Sequence, residues 1–305
     1  MPQNIVGLCV AKNESDIIEA MVRHNLCYLD ALHVVDNDSA DSTQDILAAL
    51  SEEFPDRLTW ESDPRTGHLQ TAIMNAALGP LLTRTAAAQI VLLDADEFLR
   101  ADPVVFREGL LAAGRPVLLP WVTYVPTKDD DASVLNPIER IAHRRSRERP
   151  QFHKTTVPTH LVGKVRIMSG NHSLRGAGED VAITVDGLSL AHFPVRSAEQ
   201  LTSKVLIGAW NMRLRAKRGL SEGYHWHALA SKVLAGGALT EDDLQAVAMG
   251  YSARRSSGIL PDPLAIRGDV ALKYTPDGKA NLLRNLAAFT ERCVQLLESK
   301  PKDLP

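Results

Sequence analysis

Three acidic residues follow an apolar segment within four positions. The segment IVLLDADEFL (90–99) runs from aliphatic residues into Asp94, Asp96 and Glu97. Carboxylates this close repel one another, so they need a positive partner. Two carboxylates at i and i+2 after a strand can both reach one divalent cation, and oxygen ligands suit Mg²⁺ or Mn²⁺. The spacing therefore predicts a metal site on Asp94 and Asp96, with Glu97 beside it. The alternative is a solvated turn.

Two other polar segments follow predicted strands. AKNES (11–15) comes after the first strand, and DNDSADST (36–43) comes after the second. Part of this composition is ordinary turn and helix-cap chemistry. Asp36, however, stands directly at a strand end, where an acid commonly binds a ribose hydroxyl or a base edge in nucleotide-binding sheets. Asn13 and Glu14 lie on the equivalent loop of the first strand.

The elements that must position these residues alternate between strand and helix. Apolar runs predict strands over 5–10, 32–35, 57–60 and 89–93. Between them lie predicted helices capped by Ser15, opened by Asp41 and Ser42, and spanning 68–86. This order predicts an α/β fold with a mainly parallel central sheet flanked by helices on both faces. Ligands bind outside the carboxyl ends of such strands, so the three polar segments should meet at one edge.

The second half of the chain has a different texture. Strands are predicted over 117–119, 121–125, 161–168 and 181–192, and helices over 197–217, 225–235, 240–249 and 280–299. These patterns predict a catalytic domain over 1–196 and a helical C-terminal extension over 197–305. The basic stretch 140–149 favours a solvated face, or contact with an anionic acceptor or phospholipid. We expect the Pro/Gly-rich segment 256–269 to be a long loop, and a mobile lid over 250–275 is one interpretation of this region.

Bulk composition bounds the class of protein. The 305 residues carry a formal net charge of −3, with 45% hydrophobic and 23% charged residues. These values are typical of a soluble globular protein and give no general attraction to nucleic acid. The absence of RNP-type aromatics and of zinc-ligand spacing also argues against a nucleic-acid partner. Three scattered cysteines suit a reducing compartment. We expect a cytoplasmic protein with peripheral contact at the inner membrane.

The motifs together resemble a known family. VAKNESDIIEAMVRHNLCYLDALHVVDNDSADST and IVLLDADEFL are similar to family 2-like glycosyltransferases of the GT-A type. The match is to the bacterial subgroup with K-N-E, D-N-x-S-x-D-x-T and D-x-D-E-F motifs. SGNHSL and LAHFPVRSAEQLTSK also resemble downstream elements of that subgroup. The resemblance covers about residues 5–205.

The resemblance implies a GT-A type nucleotide-binding domain and a metal-dependent, inverting transfer of a sugar from a nucleotide-sugar donor, most often UDP-linked. The acceptor would be a glycan or a lipid-linked glycan of bacterial surface polysaccharide or lipopolysaccharide assembly. Mn²⁺ or Mg²⁺ would be held by Asp94, Asp96 and His192. The residues implied in donor binding are Ala11, Asn13, Glu14, Asp36, Asn37, Asp38, Asp94, Ala95, Arg196 and Lys204.

The residue that takes the proton from the acceptor hydroxyl stays open among Glu97, His172 and Asp180, with Glu179 beside the last. Two other functions also stay open. A non-catalytic nucleotide-sugar-binding module would share the fold, and a sugar nucleotidyltransferase would share the sheet but usually begins with a glycine-rich loop, which is lacking here. A dehydrogenase is disfavoured because no G-x-G-x-x-G follows the first strand. The C-terminal helices either cover the acceptor site or form the contact of a homodimer.

Overall fold

The structure is a computed structural model that describes residues 4–65, 69–84, 86–178, 180–214, 224–253, 258–276 and 278–298. Its strands are β1 (Asn4–Ala11), β2 (Ala31–Asp36), β3 (Leu58–Ser62), β4 (Ala87–Asp94), β5 (Glu97–Arg100), β6 (Val117–Thr123), β7 (His143–Arg145), β8 (His153–Pro158), β9 (Arg166–Ile167), β10 (Leu174–Arg175), β11 (Ile183–Thr184), β12 (Ser189–His192) and β13 (Ile259–Pro261). Its α-helices are α1 (Ile18–Asn25), α2 (Thr43–Glu53), α3 (Gln70–Arg84), α4 (Pro103–Ala113), α5 (Pro137–Arg140), α6 (Ala198–Leu214), α7 (Tyr224–Leu234), α8 (Glu241–Gly250) and α9 (Gly278–Glu298).

The central sheet has the strand order β3-β2-β1-β4-β8-β6-β12-β5, with β11 beside β6. The first four strands along this order are parallel, and β12 and β11 are parallel to β6. The prediction of an α/β fold with a mainly parallel sheet is confirmed. The antiparallel strands β8 and β5 were not predicted. The strand β8 joins the two parallel groups by inserting between β4 and β6.

Helices cover both faces of the sheet, as the doubly wound pattern predicts. Alternate residues of β1 face opposite sides, so Ile5 and Cys9 join one apolar cluster and Val6 and Leu8 join another. The first cluster contains buried residues of α1, α2 and α4, and the second contains those of α3. This packing fixes the direction of the strands and therefore the edge at which their loops meet.

Of two predicted helix starts, the one at Ser15 differs from the structure, whereas α2 begins directly after Asp41 and Ser42 as predicted. Ser15 does not cap α1, because the cap position is Ile17 and no side chain bonds to the first turn. At α2, Asp41 Oδ1 accepts the hydrogen bond from the Thr43 N–H at 2.9 Å, so the aspartate rather than Ser42 satisfies the helix start. Both loops lie at the carboxyl edge of the sheet.

The C-terminal helices form a third apolar cluster. Leu201 and Val205 of α6 pack with Leu244 and Ala248 of α8, and Val195 joins them. The division of the chain at residue 196 stays a prediction. None of the helices in the described ranges is long and apolar enough to cross a bilayer.

Part of the segment expected to be a long loop is anchored to the main body. The strand β13 pairs with β7. Leu264 and Val270 are buried in the first apolar cluster, and Asp262 forms ion pairs with Arg100 and Arg144. Residues 254–257 lie outside the described residues. These buried contacts and ion pairs hold the described portion on the main body, whereas a mobile lid would have to move away from it.

Candidate functional site

The loops after β1 and β2 are tied together at the carboxyl edge of the sheet. The Asn13 N–H donates to Ser39 Oγ at 2.8 Å, and Asn13 Oδ1 accepts from the Ala40 N–H at 2.8 Å. Asn13 and Asp38 both have a φ of 56°, a left-handed conformation that asparagine and aspartate adopt more readily than most residues. The two polar segments predicted to meet do form one rim.

Asp36 and Asn37 at the end of β2 are buried in this rim. Asp36 Oδ2 accepts hydrogen bonds from the Ser39 N–H at 2.9 Å and from Gln44 Nε2 at 2.6 Å. Its Oδ1 is buried with no hydrogen-bond partner in the described part of the chain. The Asn37 amide donates to the Arg65 carbonyl at 2.7 Å, which joins the rim to the loop after β3. Asp36 thus has one oxygen bound by the protein and one left for another donor.

The positive partner of Asp94 is a lysine. Lys154 of β8 has no exposed side-chain surface, and its Nζ lies 2.6 Å from Asp94 Oδ2 and 3.5 Å from Glu97 Oε1. Asp94 Oδ1 accepts hydrogen bonds from the side-chain amides of Gln70 and Asn171. Glu97 Oε2 accepts from the Asp94 N–H at 2.8 Å. Asp94 and Glu97 are therefore bound by groups of the protein itself.

Burial and charge oppose each other in this cluster. Burial raises the pKa of Glu97 well above its ordinary value, although the nearby Lys154 lowers it. Burial alone would lower the pKa of Lys154, but Asp94 and Glu97 outweigh that effect and hold its pKa above the ordinary value. The lysine therefore stays charged at every physiological pH and neutralises the acids around it.

Asp96 faces the other way, toward His192 and Arg196. Its Oδ2 lies 3.7 Å from His192 Nε2 and 3.7 Å from Arg196 Nη1. The register of β12 on β5 sets His192 opposite Glu97, and the imidazole stacks on Trp121 with ring centroids 4.3 Å apart. Burial lowers the pKa of His192 to about 3, although Asp96 raises it. The imidazole is neutral and can act as a metal ligand.

The pKa of Asp96 lies below its ordinary value. Burial opposes its ionisation, but its interactions with the His192 ring and with the cations Lys204 and Arg196 outweigh that opposition. The carboxylate is therefore ionised where it faces the imidazole. An ionised oxygen and a neutral nitrogen stand on opposite sides of a small gap.

Arg196 binds the two acids Glu14 and Asp16, which shortly precede α1. Its Nε and Nη2 donate to Asp16 at 2.7 and 2.9 Å, and Nη2 also donates to Glu14 Oε2 at 2.5 Å. Nη1 donates to the Phe193 carbonyl at 3.0 Å. Burial raises the pKa of Glu14 to about 7 against the lowering effect of Arg196. The guanidinium, predicted to contact a pyrophosphate, is occupied by protein acceptors.

Lys204 lies one helical segment further along, in α6. Its Nζ donates to the Pro194 carbonyl at 3.3 Å and lies 5.5 Å from the centre of the Tyr251 ring. Its charge acts on both Asp96 and Glu14. Of the two cations predicted to bind the donor, Arg196 and Lys204, Lys204 therefore has fewer hydrogen-bond acceptors from the described part of the protein.

The three predicted proton acceptors lie in different surroundings. Glu97 is fully enclosed. Asp180 lies 3.2 Å from His160 on a pair of half-exposed side chains, away from the acids, and Glu179 lies outside the described residues. His172 borders the cluster: its ring contacts Trp121 edge-on and its Nδ1 lies 2.7 Å from the His153 carbonyl.

Other predicted donor-binding residues are spread along the rim. Ala11 and Ala95 are buried at strand ends, so only their backbone can contact a ligand. Asp38 is bound by Arg292 of α9. In the basic stretch, Arg144 pairs with Asp262, and Arg145 pairs with Glu148 at 2.9 Å. Arg144 and Arg145 therefore form ion pairs within the fold and are not free to bind an anion.

Sequence reasoning missed the residues that neutralise and orient the acids. Lys154 lies shortly after the basic stretch 140–149, which looked exposed, and Gln70 belongs to a predicted helix to which no role was given. Asn171 lies in the G-N-H element that was recognised, but only its neighbour His172 was given a role. Asn171 is fully buried with a φ of 59°. An asparagine beside a glycine in a recognised motif was the available signal.

The fit of a divalent cation differs among the three predicted ligands. Among the described residues, no group of three or more His, Cys, Asp and Glu side chains is arranged to hold a metal ion. Asp94 does not fit, since Lys154 already neutralises it at 2.6 Å. Asp96 and His192 fit better, because a carboxylate oxygen and an imidazole nitrogen are ligands that Mn²⁺ accepts. A cation there would need its remaining ligands from a substrate or water.

Comparisons with known proteins give distant structural similarities. No protein-family model and no curated protein sequence matches the chain. TarS 1–349 of S. aureus in complex with UDP is 11% identical, with a TM-score of 0.40 over 70% of this chain and 67% of that one. Glucosyl-3-phosphoglycerate synthase from Mycobacterium tuberculosis, in complex with Mn²⁺, UDP and glucosyl-3-phosphoglycerate, is 16% identical, with a TM-score of 0.36 over 66% and 75%.

A third similar structure belongs to another class. A Bacillus anthracis protein assigned as a glucose-1-phosphate thymidylyltransferase, in complex with sucrose, is 11% identical, with a TM-score of 0.29 over 42% of this chain and 61% of that one. The architecture described above rests on the strand order and the two apolar clusters of the chain itself.

Proposed function

We propose that this chain is a metal-dependent glycosyltransferase of the GT-A type that uses a UDP-linked sugar donor. The carrying observation is the facing pair of Asp96 and His192, with 3.7 Å between Oδ2 and Nε2, at the edge where the rim loops meet. The resemblance of the sequence motifs to that family supports the proposal. Asp36, with one unpartnered oxygen in the same rim, supports it further.

The donor would lie along the rim. Asp36 Oδ1 would accept a hydrogen bond from a ribose hydroxyl. A buried carboxylate oxygen without a hydrogen-bond donor costs free energy, and the ribose would remove that cost. Lys204 would contact the diphosphate, since the Pro194 carbonyl at 3.3 Å is its one hydrogen-bond partner among the residues that the structure describes. Arg196 would act as a positioning residue that holds Glu14 and Asp16 at the start of α1.

Asp96 and His192 would hold Mn²⁺ or Mg²⁺. When bound, such an ion supplies positive charge to the departing diphosphate. Asp94 would serve differently from the original prediction, by fixing Lys154 and the amides of Gln70 and Asn171. These contacts of Asp94 would fix the turn that carries Asp96.

His172 would take the proton from the acceptor hydroxyl. If its Nδ1–H donates to the His153 carbonyl at 2.7 Å, Nε2 is left without a proton and can accept one. Burial lowers the pKa of His172 below its ordinary value, which favours that neutral form. Glu97 lacks access because it is fully enclosed. The expected stereochemistry is a single displacement with inversion.

The acceptor would be a glycan or a lipid-linked glycan of bacterial surface polysaccharide assembly, reached in the cytoplasm at the inner membrane. This part of the proposal rests on the motif resemblance. Peripheral membrane contact and a homodimer through the C-terminal helices belong to the same proposal.

The test is calorimetric titration of UDP into the full chain with Mn²⁺ and then with EDTA. We expect binding with the metal and at least tenfold weaker binding with EDTA, with Asp96→Asn and His192→Asn each removing the difference. Asp186→Asn is the control, because that exposed residue lies at the opposite end of β12. Equal UDP binding by Asp96→Asn and by the wild type would remove the metal assignment. Absence of UDP binding in every condition would remove the proposed donor.

A further inference from the structure

A second polar cavity lies beside the rim, under the last helix. It has a volume of about 140 Å³ and is enclosed by the loop after β1, by α6 and by α9. This volume has room for several waters or for one ring-sized group. Asp94, Asp96 and His192 are not among its lining residues. It is therefore distinct from the facing pair described above.

Two asparagines of α9 line this cavity and lack partners. Asn281 is 6% exposed and Asn285 is 5% exposed. Neither Nδ2 nor Oδ1 of Asn281, nor Oδ1 of Asn285, has a hydrogen-bond partner in the part of the chain that the structure describes. The two are four residues apart, so their amides lie on one face of the helix. Buried amides without partners cost free energy, so a chain that keeps two of them side by side needs a compensating contact.

The charges around the cavity argue against an anionic ligand. Its described lining residues include four acids and two bases, namely Glu14, Asp16, Asp41, Glu199, Lys12 and Lys204. Arg196 pairs with Glu14 and Asp16, and Lys12 Nζ already donates to the Asn37 carbonyl at 2.5 Å. Acids and bases therefore balance, and the described lining has no net positive charge to hold a phosphate or a carboxylate. A neutral ligand needs none.

The amides define what a neutral ligand must offer. Asn281 presents one donor and one acceptor from the same side chain, so its partner needs an acceptor and a donor on neighbouring atoms. Vicinal hydroxyl groups provide both. The side chains of Ser197, Gln200 and Ser203 add further polar groups from α6, and no aromatic ring that could stack a base is among the lining residues. This set suits a sugar ring better than a nucleobase.

We propose that the cavity between α6 and α9 is a subsite for a neutral, hydroxyl-rich saccharide unit, bound through the amides of Asn281 and Asn285. That the unit belongs to a sugar substrate of the chain rests on the proposed function. The existence of the subsite does not, because it follows from the cavity and the unpartnered amides alone.

The test is saturation-transfer NMR on the full chain with glucose, galactose, mannose, N-acetylglucosamine and rhamnose at millimolar concentration, with and without UDP and Mn²⁺. We expect transfer to at least one sugar in the wild type and a loss of at least fivefold in Asn281→Leu and in Asn281→Ala. Absence of transfer to every sugar in both conditions overturns the proposal, and so does equal transfer in the variants.

Thermal unfolding separates a ligand-binding amide from a structural one. Leucine has the same branching as asparagine and removes the unpartnered polar atoms, so Asn281→Leu should raise Tm by about 1 to 3 °C. The matched control is Asn136→Leu. Asn136 is 4% exposed but fully bonded, to the Val270 carbonyl at 3.2 Å and to the Ile138 N–H at 3.3 Å. It should lower Tm and leave the sugar signal unchanged. A fall in Tm for Asn281→Leu as large as that of the control would overturn the proposal.

The two proposals fail separately. UDP binding depends on Asp96 and His192, whereas the sugar signal depends on Asn281. A wild type that binds sugar but no UDP keeps the subsite and loses the proposed donor. The opposite result keeps the donor and loses the subsite.

Discussion

Lys154 Nζ lies 2.6 Å from Asp94 Oδ2, and the lysine side chain has no exposed surface. Its second neighbour, Glu97 Oε1, is 3.5 Å away and equally enclosed. The acidic motif after β4 is therefore neutralised from within, by a strand that inserts antiparallel beside it. Asp96 instead lies 3.7 Å from His192 and from Arg196, so the three acids divide into two that bind Lys154 and one that faces the imidazole.

Removing that lysine should be severely destabilising. In Lys154→Met, Asp94 loses the counter-charge that lies 2.6 Å from its Oδ2, and we expect a loss of about 3 kcal/mol in the free energy of unfolding at pH 7. Urea unfolding followed by circular dichroism measures it. Adding Asp94→Asn to the same chain should restore at least half of the loss, because the uncompensated charge is then gone. A double variant as unstable as the single one would show that the lysine acts through packing instead.

The Arg196 clamp should depend on the shape of the guanidinium. Lysine keeps the charge but cannot bind Asp16 through two nitrogens and Glu14 at the same time. We expect Arg196→Lys to lower the free energy of unfolding by about 2 kcal/mol, measured by urea unfolding at pH 7. Arg65→Lys is the control, since Arg65 forms an exposed pair with Asp63 and its change should leave the free energy of unfolding nearly unchanged. Equal effects at both positions would show that the contacts of Arg196 with Asp16 and Glu14 do not stabilise the fold.

Acid should destabilise the fold through His24. Burial lowers the pKa of this imidazole to about 4, and its Nε2 lies 2.9 Å from the Leu99 carbonyl. The folded pKa lies below the unfolded value of about 6.5, so the unfolded chain takes up the proton first as the pH falls. Stability is complete above about pH 6.5 and is lost progressively down to about pH 4, by about 3 kcal/mol in total.

The check is urea unfolding of the wild type and of His24→Gln between pH 7.5 and pH 4.5. Glutamine can still donate to the Leu99 carbonyl but does not titrate, so its stability should fall less over this range. If both chains lost the same free energy, other groups would account for the acid sensitivity.

Asn171 should show separate contributions from backbone and side chain. Its φ of 59° favours glycine over alanine, and its Nδ2 donates to Asp94 at 3.3 Å. Both Asn171→Gly and Asn171→Ala remove the hydrogen bond, but the alanine variant should be less stable than the glycine variant by about 1 kcal/mol because of backbone strain. Thermal unfolding of the two variants gives the difference. A more stable alanine variant would show that the turn relaxes out of this conformation.

Much of the fold could be predicted because its signals are local. The strands that became β1, β2, β3 and β4 each have an apolar run followed by polar residues, and their alternation with helices fixes a parallel arrangement. The strand β8 could not be predicted, because arginine and histidine precede it and its partners are distant in sequence. A charged run looks exposed unless its counter-charges are known.

The placement of the candidate site residues was predictable to a similar extent. Motif resemblance pointed to Asp96, His192 and Arg196, which the structure does bring together. It did not point to Lys154, because the sequence cannot tell that a lysine will be buried between two carboxylates. Nor could it tell that Arg196 would be bound by Glu14, since that contact depends on how α1 and the segment after β12 meet.

The antiparallel insertion of β8 also has an evolutionary consequence. Lys154 and Asp94 lie far apart in sequence but form one ion pair, so a neutral residue at position 154 leaves Asp94 without its cation, and a neutral residue at position 94 leaves Lys154 with Glu97 alone. In descendants of this chain the two positions should therefore change together, as lysine with acid or as two uncharged residues. A chain that has the D-x-D motif but a neutral residue at the position of Lys154 should hold its acids by a different cation.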